Sequence, residues 1–69
     1  MALSRAQKYL IHGLKVYGCS EDTVIGIMLL MDLPEMQDDL MDWMAENTTA
    51  TEPEIFSKAV EIKDQYQRT

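Results

Sequence analysis

The sequence predicts an all-α protein, a compact bundle of four short helices with the second helix central. Three observations lead there. Apolar residues recur at helical spacing in three segments, and a fourth segment is apolar throughout. A helix-start signal precedes each segment: Ser4, Ser20, Pro34, and the run Thr51-Glu52-Pro53-Glu54. Finally, a chain of 69 residues that is 46% hydrophobic, with three Gly and two Pro, is too apolar to stay disordered and too poor in breakers to be a linker. Such a length makes one domain, residues 1–69.

The first helix is expected over 4–17. Ser4 is an N-cap with Gln7 three residues on, the spacing of a capping box. Ala6, Tyr9, Leu10, Gly13, Leu14 and Tyr17 fall on one face; Arg5, Lys8, His12 and Lys15 fall on the other. Gly18 ends the helix. Gly13, on the apolar face, suggests the close approach of another backbone.

The second helix is expected over 20–31. Ser20 caps it, and Glu21 and Asp22 suit the positive pole of its first turn. The run Val24-Ile25-Gly26-Ile27-Met28-Leu29-Leu30-Met31 also has some strand character, but the cap and the Met/Leu-rich second half favour helix. It is apolar on every side, so it must be covered on every side. Three other short helices are a scant cover. Val24, Ile25, Met28 and Leu29 are its expected core residues. Ile27, Leu30 and Met31, together with Met41, are the expected self-association residues.

Pro34 fits the first position of a third helix over 34–46, although a proline can also bend a helix that continues through it. Met36, Leu40, Trp43 and Met44 form its apolar stripe. Glu35, Asp38, Asp39, Asp42 and Glu46 form an acidic one. The fourth helix, over 52–67, opens with Thr51 as cap and Glu54 three residues later. Its stripe holds Ile55, Phe56, Ala59, Val60, Ile62 and Tyr66.

The stretch from Ile27 to Ile62 resembles small uncharacterised helical proteins of bacteria and their mobile elements. The resemblance sits in the apolar second helix, the Trp-containing Met36–Glu46 helix, and Ala50-Thr51-Glu52 opening a helix with Lys58-Ala59-Val60-Glu61-Ile62. It implies an accessory or regulatory binding protein and carries over no functional residue.

Charge is segregated along the chain. Residues 1–18 carry Arg5, Lys8 and Lys15 and no acid, whereas residues 19–51 carry only acids; the formal net charge is −6. An acidic middle repels phosphate backbones and attracts basic surfaces. A DNA-reading helix would offer Arg, Lys, Asn or Gln to the base edges, and the third helix offers Glu35, Asp38, Asp39 and Asp42 instead. Nucleic acid is therefore a disfavoured partner. The single Cys19 cannot form an intrachain disulfide, and the first residues lack a signal-peptide core, so a cytoplasmic location is expected. The eight-residue apolar run falls short of the roughly 20 residues that span a bilayer, and no membrane association is expected. No phosphate loop, zinc spacing, calcium loop or nucleophile motif is present. His12 and Cys19 are the nearest approach to reactive chemistry, and no third residue orients them. No catalytic residue, cofactor, metal or small-molecule substrate is expected.

Function is then expected in a non-catalytic protein-interaction module, a small accessory or regulatory protein that forms a homodimer. The acidic stripe Glu35, Asp38, Asp39, Asp42, Glu46 is read either as a solvated face or as a docking face for a basic protein. Two alternatives remain: a nucleic-acid-associated regulator with a helix-turn-helix-like fold, and an acidic mimic that blocks a nucleic-acid-binding protein.

Overall fold

A computed structural model describes residues 4–68. It contains four helices: α1 (Arg5–Val16), α2 (Glu21–Leu30), α3 (Pro34–Glu46) and α4 (Glu52–Gln67). The all-α four-helix bundle holds.

Local chemistry sets each boundary. At the start of α1, Ser4 and Gln7 close a reciprocal capping box, with the Gln7 amide N–H donating to Ser4 Oγ at 3.2 Å and the Ser4 N–H to Gln7 Oε1 at 2.8 Å. At its end Gly18 takes a positive φ of 87°. That conformation lets the Cys19 N–H reach Leu14 O and the Gly18 N–H reach Lys15 O, each at 3.0 Å, the two bonds of a Schellman ending. Ser20 caps α2 through the Thr23 N–H. Pro34 opens α3, and the non-helical stretch Met31 to Leu33 makes α2 and α3 separate helices. In α4 the Glu54 carboxylate reaches back to accept the Thr51 N–H at 2.9 Å.

The helices form a closed four-membered ring. α1 packs on α2 and α3, and α4 packs on α2 and α3; α2 and α3 lie diagonally apart, as do α1 and α4. Every helix thus has two neighbours, and α2 holds no more central a place than the other three. Each contributes a narrow stripe to the interior: Leu10 and Leu14; Val24, Ile27 and Met31; Met36, Leu40 and Met44; Ile55, Ala59 and Ile62. Truncating a fully buried leucine such as Leu10 or Leu40 to alanine costs about 2–5 kcal/mol.

The expected stripes were too wide. Tyr9, Ile25, Leu29, Phe56 and Val60 are exposed, and Tyr17, Met28 and Trp43 are half-buried. The reason is geometric. Successive helical residues turn by about 100°, so a residue next to a core position leaves the interior when only two neighbours cover the helix. Ile27 and Met31 take inner places instead. Gly13 also differs from expectation: what lies over it is the Met44 side chain, with Cε 3.6 Å from where a Cβ would sit, not another backbone.

Polar links tie the ring together at its ends. The Tyr17 hydroxyl donates to Met44 O at 2.6 Å, joining α1 to α3. Glu52 at the start of α4 accepts the Ser20 N–H at 2.6 Å, so one helix start is capped by a residue from another. Lys63 pairs with Asp32 at 3.1 Å. Between those two links Gly26 faces the Phe56 ring, 3.4 Å from a would-be Cβ. The three contacts advance together along both helices, so α2 and α4 run parallel. Buried Gln37 donates from Nε2 to Met31 O at 2.8 Å, satisfying a carbonyl at the end of α2, while its Oε1 has no partner.

Two outcomes test this account. Gly13→Ala removes the helix penalty of glycine and places a methyl group in ordinary contact with a flexible side chain, so it should stabilise the fold by about 1 kcal/mol and raise Tm; a lower Tm would show that the α1–α3 seam has no room. Glu52 is held below its ordinary carboxylate range, chiefly by the Ser20 N–H and then by hydrogen bonds to the Thr23 and Ser20 side chains. A depressed folded pKa stabilises the fold above the unfolded carboxylate value, near 4.3, and that contribution fades as pH falls through the folded value. Glu52→Ala should therefore melt below the wild type at pH 7, with the gap closing in acid; a gap independent of pH would assign the loss to packing.

Candidate interaction surfaces

Each face of the ring follows from which side of a helix its two neighbours leave open. The α2–α4 edge is the most apolar. Ile25 is 56% and Leu29 75% exposed, and Leu33, Phe56 and Val60 are also open to solvent. The parallel register explains why they gather. Phe56 lies over Gly26; Val60, one turn further along α4, therefore falls beside the next turn of α2, which carries Leu29 and Leu30.

Two of the four expected self-association residues lie in the core. Ile27 and Met31 are fully buried, and Leu30 and Met41 are half-buried. Because α2 is apolar all round, its sequence left open which side would face inward. The contact between Gly26 and Phe56 settles it, turning Val24, Ile27 and Met31 in and Ile25 and Leu29 out. The one legible signal was Gly26 itself: the smallest residue of a helix marks where a neighbour's large ring can lie close.

The opposite edge joins α1 to α3. A shallow notch of about 190 Å³ is lined there by Tyr9, Gly13, Tyr17, Met41, Met44 and Ala45. Tyr9 is 58% exposed; Val16, seven residues on and hence on the same side, is 68% exposed. Of the four expected self-association residues, Met41 alone lies here.

All five members of the acidic stripe, Glu35, Asp38, Asp39, Asp42 and Glu46, are exposed. They divide into two roles. Asp39 faces α4, where its Oδ2 accepts the Tyr66 hydroxyl at 2.7 Å. That bond is the chief reason the phenol sits above its ordinary pKa, with burial and the charges of Asp39, Glu35 and Asp38 adding to it. Glu35, Asp38, Asp42 and Glu46 make no ion pair among the described residues, and neither do Arg5, Lys8 or Lys15. A second shallow groove, of about 280 Å³, runs beside the stripe between Trp43, Lys58 and Ile62.

The reactive candidates stay apart from any shared chemistry. His12 is exposed on α1. The Cys19 thiol is pushed up from its ordinary pKa, first by burial and then by the nearby Glu52 charge. The cap that stabilises α2 thus works against a thiolate at the same helix start. Among the described residues no group of three or more His, Cys, Asp and Glu is placed to hold a metal ion, and no helix is long and apolar enough to cross a membrane. The consecutive helices α2 and α3 do not pack on each other, so this pair lacks the packed geometry of a helix-turn-helix.

No family model, curated protein or solved structure matches the chain.

Proposed function

We propose that this chain is a non-catalytic protein-interaction module, a small accessory or regulatory protein that associates with itself. One observation carries the reading. Large apolar side chains stand open on two opposite edges of the ring, Ile25, Leu29, Phe56 and Val60 on one and Tyr9 and Val16 on the other. Scattered exposed apolar residues are ordinary; contiguous ones mark interfaces. The surplus is built into the chain. α2 is apolar on all sides and has two neighbours, so the side that carries Ile25 and Leu29 lacks cover.

A second reading has its own support. The unpaired carboxylates Glu35, Asp38, Asp42 and Glu46 form a dense negative edge that suits a basic protein, including one that ordinarily binds nucleic acid.

Sedimentation of the wild-type chain should show a mass above the 7.9 kDa monomer that rises with concentration through the micromolar range; a strict monomer at high micromolar concentration overturns self-association. For the second reading, a basic DNA-binding protein should be retained by the immobilised chain and lost when Asp38, Asp39 and Asp42 are changed to Asn. Retention unchanged by those substitutions removes the acidic edge as the cause.

A further inference from the structure

We propose that the face formed by α1 and α3 binds a second copy of this chain, about a two-fold axis that lies in the interface along the α1–α3 seam. The proposal rests on the self-association reading and names the face and the geometry that reading leaves open.

The layout of this face carries the argument. Its centre is the apolar notch with Tyr9, Val16 and Met41 around it. On the α1 side the notch is bordered by cations. Arg5 is one turn before Tyr9, and Lys8 follows Arg5 three residues on along the same stripe. On the α3 side it is bordered by Asp38, three residues before Met41; Asp42, one turn further on, stands on the outer side of α3, where it also lines the groove shared with α4. Across the face the order is therefore basic, apolar, acidic.

Such a face is complementary to itself. A two-fold axis along the seam lays α1 of one copy over α3 of the other, and the reverse. Apolar centre then meets apolar centre, and each basic edge meets an acidic edge, twice. An interface of this kind is isologous and closes as a dimer. It also answers the problem posed by the net charge of −6. Two copies of an acidic chain repel in most orientations, and this one places their unpaired cations and carboxylates opposite each other. Neither group makes an ion pair within the copy among the described residues, so neither has to give up a partner. An ordinary stable interface takes about 800 Å² per partner, a minor share of the 4723 Å² the chain exposes.

The more apolar α2–α4 edge lacks this property. Glu21 and Asp22 stand exposed and without an ion pair at the start of α2, while the cations of α4 on this side are taken, Lys63 by Asp32 and Arg68 by Asp64. Two such edges have no unpaired cation to set against a carboxylate.

A charge exchange followed by sedimentation tests the geometry. One variant carries Arg5→Glu and Lys8→Glu, the other Asp38→Lys and Asp42→Lys; all four positions are exposed, and circular dichroism checks that both variants keep the helical fold. Each variant alone has two edges of one sign and should need at least about tenfold more protein than the wild type to dimerise. A one-to-one mixture pairs opposite edges at both contacts and should recover the dimer at wild-type concentration. Higher salt should weaken the wild-type dimer. Folded variants that do not recover on mixing overturn the proposal. So does a dimer indifferent to both variants but dissolved by Leu29→Glu, which would keep self-association and move it to the α2–α4 edge. A wild type that is monomeric throughout overturns the underlying reading, and this proposal with it.

Discussion

Cover is the scarce quantity in this molecule. Four helices arranged in a ring enclose a single file of side chains, and each helix is touched by two others. Only a stripe of two or three residues per helix can then be dry, and the eleven buried apolar residues fill those stripes completely. Everything apolar beyond them must face water or a partner. The exposed residues on α1, α2 and α4 follow from that limit, and so does the reading of the chain as an interaction module. Leu29, 75% exposed, has no helix laid over it among the described residues.

A core so thin depends on how its ends are tied. The ties here are polar, and three of the four join residues 27 to 32 positions apart. Glu52 closes the start of α2, Tyr17 meets the last turn of α3, Tyr66 meets Asp39, and Gln37 closes the end of α2. Each adds a hydrogen bond that links one helix, or its end, to another. Gln37 does so at a cost. It is 2% exposed and its Oε1 is unpartnered, a penalty of about 1–3 kcal/mol against the Met31 carbonyl it satisfies. The ties also shape the chemistry of the surface. The carboxylate that caps α2 raises the Cys19 thiol, and the hydroxyl that anchors α4 takes Asp39 out of the free acidic edge.

The polar surface is ordered by the same ring. Among the described residues α1 carries the unpaired cations, α3 carries a row of unpaired carboxylates, and these two helices are neighbours. Had α1 packed diagonally to α3, the two stripes would have pointed in opposite directions. As neighbours they flank a common apolar seam. The segregation of charge along the chain thereby becomes a segregation across one face, which is the feature that a second copy can read.

Helix number, helix bounds and the chemistry of the helix starts were written in the sequence, because they depend on residues within four positions of one another. Ser4 with Gln7, Gly18, Pro34, and Thr51 with Glu54 act locally and mark the same places in the structure. The exposure of the acidic stripe was legible for the same reason: the apolar residues of α3 gather on the other side. The inward side of α2 was not legible from its polarity, since a helix without a polar face carries no such information; Gly26 was the one local mark. Nor did local spacing show that Gln37 would be buried, that Glu52 would cap another helix, or which helices would be neighbours. Those outcomes turn on contacts between residues some thirty positions apart or on the path between α2 and α3, and packing alone decides them. It was packing, too, that moved Ile27 and Met31 from the expected surface to the core and put Tyr9 beside Met41, because only the assembled ring fixes which side of each helix is left without a neighbour.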